Sequence, residues 1–214
     1  TKEQPILGLA TGSTPIGLYK HLIQTYKQGN ISFKNVTTFN LDEYVNLSPT
    51  DPNSYRFFMD DELFNHVDID KSRTHVPNGE ADDLEQECLD YEKKIREAGG
   101  IDLQILGIGP NGHIGFNEPG TPFDSQTQVI ELDQRTREAN SRFFESIDEV
   151  PTHAITAGIG TIMQSEEIVL LISGASKKEA YQKLIDGEVT EDFPASVLKN
   201  HSNCIVIVDM ESIS

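Results

Sequence analysis

Two short strings carry the residues best suited to moving protons. Asp42-Glu43-Tyr44 directly follows the apolar run Val36–Leu41. A carboxylate at the end of a buried run loses hydration, so it needs a partner or a task; an aspartate that merely caps a turn is the other reading. The second string is Asn111-Gly112-His113, with Glu118 five residues after the histidine. Histidine titrates near neutral pH and can shuttle protons. Across the flexible Gly115, Glu118 could orient it from one side and Asn111 from the other.

Two further strings suit an anion. In Thr11-Gly12-Ser13-Thr14, Gly12 lets the backbone approach closely, while Ser13, Thr14 and free N–H groups at a helix start receive the charge. A plainly capped helix after an ordinary turn is the alternative. No Gly-Lys-Ser/Thr follows at P-loop spacing. Ser173-Gly174-Ala175-Ser176-Lys177 repeats the theme and places Lys177 within an expected first helical turn. The helix dipole disfavours a cation there, and an anionic ligand would supply the reason. Arg142 is a second candidate clamp, or simply a surface arginine.

Other chemistries fit less well. Gly107-Ile108-Gly109-Pro110-Asn111-Gly112 matches the dinucleotide pattern G-x-G-x-x-G, but the stretch after it is broken by glycines and Pro119. A pyrophosphate would find no helix end there. The remaining histidines, at 21, 66, 75, 153 and 201, do not stand at metal-ligand spacing to His113, so no metal is expected. No serine nucleophile elbow occurs. Cys88 and Cys204 are too few and too distant for a disulfide scaffold or zinc site, and both read as small buried hydrophobes.

The elements that would position these residues alternate. Nearly continuous apolar runs at Ile6–Ala10, Val36–Leu41, Leu103–Ile108, Ile168–Ile172 and Ile205–Val208 predict strands covered on both faces. Helical periodicity spans Pro15–Gln28, with Thr14 as N-cap and Leu18, Leu22, Ile23 and Tyr26 on one face. It recurs at Ser54–Asn65, at Leu84–Ala98 with Cys88, Tyr91 and Ile95, and at Ser176–Asp186 with Ser176 as cap. The expected fold is α/β: a three-layer, mostly parallel, Rossmann-like sheet with helices on both faces, forming one domain over residues 1–214. Asn117–Gln128 reads as a loop long enough to be functional. In such sheets ligands bind beyond the carboxyl ends of strands, and four of the five predicted strands end on the strings above.

With 36% apolar and 24% charged residues, the chain reads as an ordinary globular protein. No window approaches ~18 uninterrupted apolar residues, and no secretory leader is apparent, so a reducing cytoplasm is expected. A net charge of −18 opposes nucleic acid as a partner. It does not forbid a small anion, because screening over about 8 Å lets groups in a pocket outweigh distant surface charge.

Several strings, in order along the chain, resemble the glucosamine-6-phosphate deaminase family. They are Leu9-Ala10-Thr11-Gly12-Ser13-Thr14-Pro15, Phe39-Asn40-Leu41-Asp42-Glu43-Tyr44, Gly112-His113-Ile114-Gly115-Phe116-Asn117-Glu118-Pro119, Thr136-Arg137 with Asn140-Ser141-Arg142-Phe143-Phe144, and Ser173-Gly174 with Lys177. The resemblance covers essentially the whole chain, and the His113 string is highly specific. It implies conversion of glucosamine 6-phosphate and water to fructose 6-phosphate and ammonia, with no cofactor. Carried over, Asp42 is the base between C2 and C1, and His113 opens the sugar ring, positioned by Glu118 and Asn111. Gly12, Ser13, Thr14, Arg142 and Lys177 hold the phosphate.

Three departures accompany the resemblance. Longer family members carry Asp where this chain has Asn111, which removes a negative charge beside His113. The chain ends at Ser214 without the C-terminal extension of long, allosterically controlled hexameric members, so it is expected to be of the short, non-allosteric type, a monomer or low-order homo-oligomer. The family's leading segment before the Ile6 strand is also expected to be missing. The rivals are a 6-phosphogluconolactonase-like hydrolase and a sugar-phosphate sensor without turnover.

Overall fold

The computed structural model describes residues 2–141 and 144–209, with Arg135, Ala139 and Asn140 as backbone only. In chain order the elements are β1 (Ile6–Leu9), α1 (Ile16–Lys27), β2 (Thr37–Asn40), β3 (Asp42–Tyr44), α2 (Tyr55–Glu62), β4 (Thr74–His75), α3 (Leu84–Ala98) and β5 (Leu103–Gly107). Then follow β6 (Gln128–Glu131), α4 (Gln134–Asn140), β7 (His153–Thr156), α5 (Ile159–Met163), β8 (Glu167–Ile172), α6 (Lys178–Asp186) and β9 (Cys204–Val208). Among the described residues, no helix is long and apolar enough to cross a membrane.

Six strands form a sheet in the order β4-β2-β1-β5-β8-β9, and every neighbouring pair is parallel. Successive side chains on a strand point to opposite faces, and the two cores divide accordingly. Leu9 and Ile105 join Tyr19 of α1 and Met59 of α2. Leu106, Ile168 and Leu170 face Ile162 of α5 and Leu184 of α6 on the other side. Ile6 and Phe39 pack on Tyr91 and Ile95 of α3. This is the expected three-layer α/β arrangement.

A second sheet, antiparallel and ordered β3-β7-β6, escaped the sequence. Its strands have three or four residues, too few for a period of two to register. The predicted loop at Asn117–Gln128 therefore ends one residue early, since Gln128 opens β6. Leu41 joins the two sheets. Its N–H donates to Leu9 O in the parallel sheet (3.1 Å), and its carbonyl accepts from Ala157 N beyond β7 (2.7 Å). The next residue, Asp42, pairs with Thr156; it opens a strand, which sets aside the alternative reading of an aspartate that caps a turn.

Two expected caps are absent. Helix α1 starts at Ile16 behind Pro15, with no side-chain cap, so Thr14 does not serve as N-cap. Pro15 itself stands at the cap position, its carbonyl accepting the first helical bond from Tyr19 N at 3.0 Å, so the helix begins one residue too late for Thr14 to cap it. The fully buried residue of α1 is Tyr19, whose hydroxyl donates to Ala10 O (2.5 Å); Leu18, Leu22, Ile23 and Tyr26 are half-buried. Ser176 likewise caps nothing. A 3-10 turn at Ala175–Lys177 precedes α6, so Lys177 stands before that helix rather than inside its first turn. Asp209 Oδ2 fixes this turn by accepting from Ser173 Oγ (2.5 Å) and Gly174 N (2.9 Å). By contrast, Ser54 caps α2 by accepting from Phe57 N at 3.0 Å, and α3 follows its predicted bounds, closing on Gly99 at φ 107°.

Glu92, on the buried face of α3, ties the long loop to the core. Its Oε1 accepts from Thr127 N (2.8 Å), Thr127 Oγ1 (2.6 Å) and Thr161 Oγ1 (2.5 Å). Removing the carboxylate strands three donors away from water. Glu92→Ala is expected to lower stability by roughly 2 kcal/mol or more, about 4–8 °C in Tm, and Glu92→Gln by less, as read by thermal denaturation.

Candidate active site

The carboxyl ends of β1, β2, β5 and β8 open on one cleft of about 830 Å³. Gly12, Ser13 and Thr14 from the β1–α1 turn line it, as do Asp42, Asn111, His113, Glu118 and Lys177. Eight of the residues singled out in the sequence therefore share one cavity. The ninth, Arg142, lies outside the described residues.

Asp42 is 6% exposed, and no hydrogen bond to its carboxylate is found among the described residues. Burial, with the negative charge of Glu43 second, pushes its pKa up to about 8. A carboxyl with that value is far more basic than an ordinary aspartate, as a proton acceptor at carbon needs. Tyr55 and Phe116 also line the cleft; their rings are 6.0 Å apart at 13°, an apolar wall that helps to keep water away. Phe116 was quoted in the sequence without a role, and Tyr55 was not marked, because it reads as an ordinary residue of a helical pattern.

Glu43 is also buried but works on the fold. Its carboxylate accepts from Tyr44 N (2.8 Å), Tyr55 N (2.9 Å) and Arg56 N (2.9 Å). It thereby anchors the first turn of α2, where a negative charge is favoured. Burial still raises its pKa.

His113 is held through Asn111. Its Nδ1 lies 2.7 Å from Asn111 Oδ1, and its backbone N donates to the same oxygen at 3.3 Å. Asn111 Nδ2 in turn donates to Glu118 Oε2 at 2.6 Å. A carboxylate accepts from the amide NH2, so Asn111 must present its oxygen to the ring; Nδ1 then carries the proton and Nε2 keeps a free lone pair. The sequence placed Asn111 and Glu118 on opposite sides of His113. Both instead approach Nδ1, and Glu118 Oε1 stops at 3.7 Å, beyond hydrogen-bond range. Burial lowers the His113 pKa; Glu118 opposes this, and the charge of Lys177 assists it.

The glycines that mimic a dinucleotide fingerprint serve the histidine. A Cβ at Gly109 would lie 2.0 Å from His113 Cε1, so the imidazole rests directly against the backbone there. Gly112 adopts φ 84°, and a Cβ on it would lie 2.3 Å from the Phe193 ring. The turn is closed by Gly109 N to His113 O (2.9 Å) and Gly112 N to Gly109 O (3.0 Å).

Lys177 is half-buried, and desolvation lowers its pKa. It lines the same cleft as Ser13 and Thr14, residue types able to receive an anion. Thr136, on α4, was quoted in the sequence without a role; its Oγ1 donates to Glu118 Oε1 at 2.9 Å. Among the described residues, no group of three or more His, Cys, Asp or Glu is placed to hold a metal ion.

Residues 1–207 match the family model described as glucosamine-6-phosphate isomerases/6-phosphogluconolactonase. The glucosamine-6-phosphate deaminase of Oceanobacillus iheyensis is 60% identical over 211 residues, spanning 99% of this chain and 84% of that protein. Glucosamine-6-phosphate deaminase 1 of Bacillus subtilis is 56% identical over 215 residues, spanning 100% of this chain and 89% of the relative. Among solved structures, a monomeric glucosamine-6-phosphate deaminase of the NagB superfamily has a TM-score of 0.96 at 55% identity, covering 99% of this chain and 88% of its own. A 6-phosphogluconolactonase from Thermotoga maritima shares the fold, with a TM-score of 0.75 at 20% identity over 97% of this chain and 86% of that one. The chain belongs to the family of glucosamine-6-phosphate isomerases and 6-phosphogluconolactonases.

Proposed function

We propose that the chain converts glucosamine 6-phosphate and water to fructose 6-phosphate and ammonia. The observation that carries this reading is a desolvated aspartate lining the same cleft as His113, whose pKa burial lowers, and as Ser13, Thr14 and Lys177. Ser13, Thr14, the backbone at Gly12, Lys177 and Arg142 hold the phosphate. Its grip is remote from the reacting carbons, so binding energy is available for orientation. His113 Nε2 takes the proton from the C1 hydroxyl and returns it to the ring oxygen, which opens the sugar. Asp42 then removes the C2 proton while O1 takes a proton from the C2 ammonium, giving an enolamine; Asp42 delivers its proton to C1, which leaves a protonated imine at C2. The resulting C2 imine adds water, and the carbinolamine expels ammonia. Each step moves only protons among the substrate, water, Asp42 and His113.

The lactonase reading has less support. Hydrolysis of a lactone moves no carbon-bound proton, so it gives the buried Asp42 no task. A sensor without turnover has no use for either the base or the proton shuttle. Both cysteines are free, with Cys88 buried, which supports a reducing cytoplasm. Action as a monomer or low-order oligomer accords with the monomeric deaminase of near-identical fold.

Incubation with glucosamine 6-phosphate is expected to release ammonia and fructose 6-phosphate in equal amounts; ketose without ammonia would mean a plain isomerase. Asp42→Asn should lose about 10²-fold or more of kcat, the scale of a general base. The same variant should be more stable than the parent at pH 8. The folded pKa of Asp42 is raised above the unfolded value, so its ionisation opposes folding; the parent loses stability as pH climbs from 3.8 towards about 8. Denaturant titrations at pH 5 and 8 should therefore show the advantage of the variant growing with pH.

Asn111→Asp would place a carboxylate beside both His113 and Glu118. The His113 pKa should rise, and the acid limb of kcat/KM should move about one unit to higher pH. An unmoved limb would remove His113 from the rate-controlling protonation.

A further inference from the structure

We propose that Thr136 is a positioning residue for the imidazole of His113, acting through Glu118. The proposal rests on the deaminase reading above. Glu118 is clamped from two elements. Thr136 Oγ1 on α4 donates to Oε1 at 2.9 Å, and Asn111 Nδ2 in the turn before His113 donates to Oε2 at 2.6 Å. Held this way, Oε1 stops 3.7 Å from His113 Nδ1, and the neutral Asn111 Oδ1, at 2.7 Å, is the acceptor of the ring proton.

Without the threonine hydroxyl, Oε1 keeps an unmet lone pair within reach of the ring. A rotated carboxylate then competes with Asn111 for the Nδ1 proton, turns the imidazole and favours its charged form. The place of the hydroxyl is itself fixed, because α4 is buttressed from beyond its end. Arg137 Nη2 donates to Ile147 O (3.0 Å) and Val150 O (3.1 Å). The distance between α4 and the loop after His113 thus sets how the imidazole is aimed. Among the described residues, five charged groups share the cleft with His113: Glu118, Lys177 from the turn before α6, Lys183 on α6, Asp42 from β3, and Asp133 at the entry to α4. Thr136 bonds to Glu118, so its loss should register through that carboxylate.

Thr136→Val and Thr136→Ser in the full chain test this. In the valine variant, kcat should fall about 10-fold, one charge-assisted hydrogen bond, with KM changed less than about twofold. The acid limb of kcat/KM, and the His113 titration midpoint by NMR, should move to higher pH by roughly half a unit or more. Serine, which keeps the hydroxyl, should restore both. A valine variant with the parent's His113 midpoint, or a serine variant as impaired as valine, would overturn the proposal. Failure of the parent to release ammonia bears on the deaminase reading, whereas the NMR titration judges Thr136 without turnover.

Discussion

The structure depends on an uncomfortable placement: a carboxylate with little water and no hydrogen-bonding partner among the described residues. Asp42 stands where the chain steps from the parallel sheet to the small antiparallel one, and Leu41 bonds to both. That step lets the backbone around Asp42 be satisfied while its side chain is not. A buried carboxylate without donors is costly, and the surroundings bear that cost elsewhere. Glu43, one residue on, takes three backbone donors, and the adjoining apolar wall is packed from α2 and the loop after His113. Adjacent acids thus differ in their surroundings: Glu43 is tied into the backbone, while Asp42 faces the cleft with a raised pKa, the environment that the proposed base requires.

The histidine is treated in the opposite manner. Its Nδ1 is engaged, its ring lies against a bare backbone at Gly109, and its charge is disfavoured by burial. An amide, rather than a second carboxylate, sits between it and Glu118. The arrangement separates aiming from charging: Asn111 fixes the tautomer without pulling a second proton onto the ring.

What the sequence made legible follows from what periodicity can see. Five of the six parallel strands lie in apolar-rich runs, and α2 and α3 carry caps and a regular apolar face, so these could be read; the sixth, β4, is the two polar residues Thr74–His75 and could not. The small sheet could not, since strands such as Asp42–Tyr44 and His153–Thr156 are too short and too polar to declare themselves. Thr14 and Ser176 look like caps by residue type, but α1 takes Pro15 at its cap position and a 3-10 turn precedes α6, so each helix begins beyond the residue expected to cap it. The site was legible because its members follow strand ends, a rule of topology rather than of side-chain contact. The contacts themselves were not. Two groups near His113 in sequence can approach it from any side, and only the folded turn puts both at Nδ1. Glu92 gave no signal, and Thr136 stood in a matching string without a role, since a lone acid or threonine on a helix has many ordinary uses.

The amide at position 111 also has a bearing on chemical ageing. An asparagine followed by glycine is the pair in which the backbone nitrogen most easily attacks the side-chain amide, because no Cβ obstructs the ring that forms; asparagines as a class are thermolabile for such reasons. In this turn Gly112 N is bonded to Gly109 O, and the amide is held by His113 at one end and Glu118 at the other. The atoms that would have to move are therefore those that aim the imidazole. Durability of the Asn111–Gly112 link and alignment of the histidine are maintained by the same few hydrogen bonds, so a molecule that loosens in one respect loosens in both.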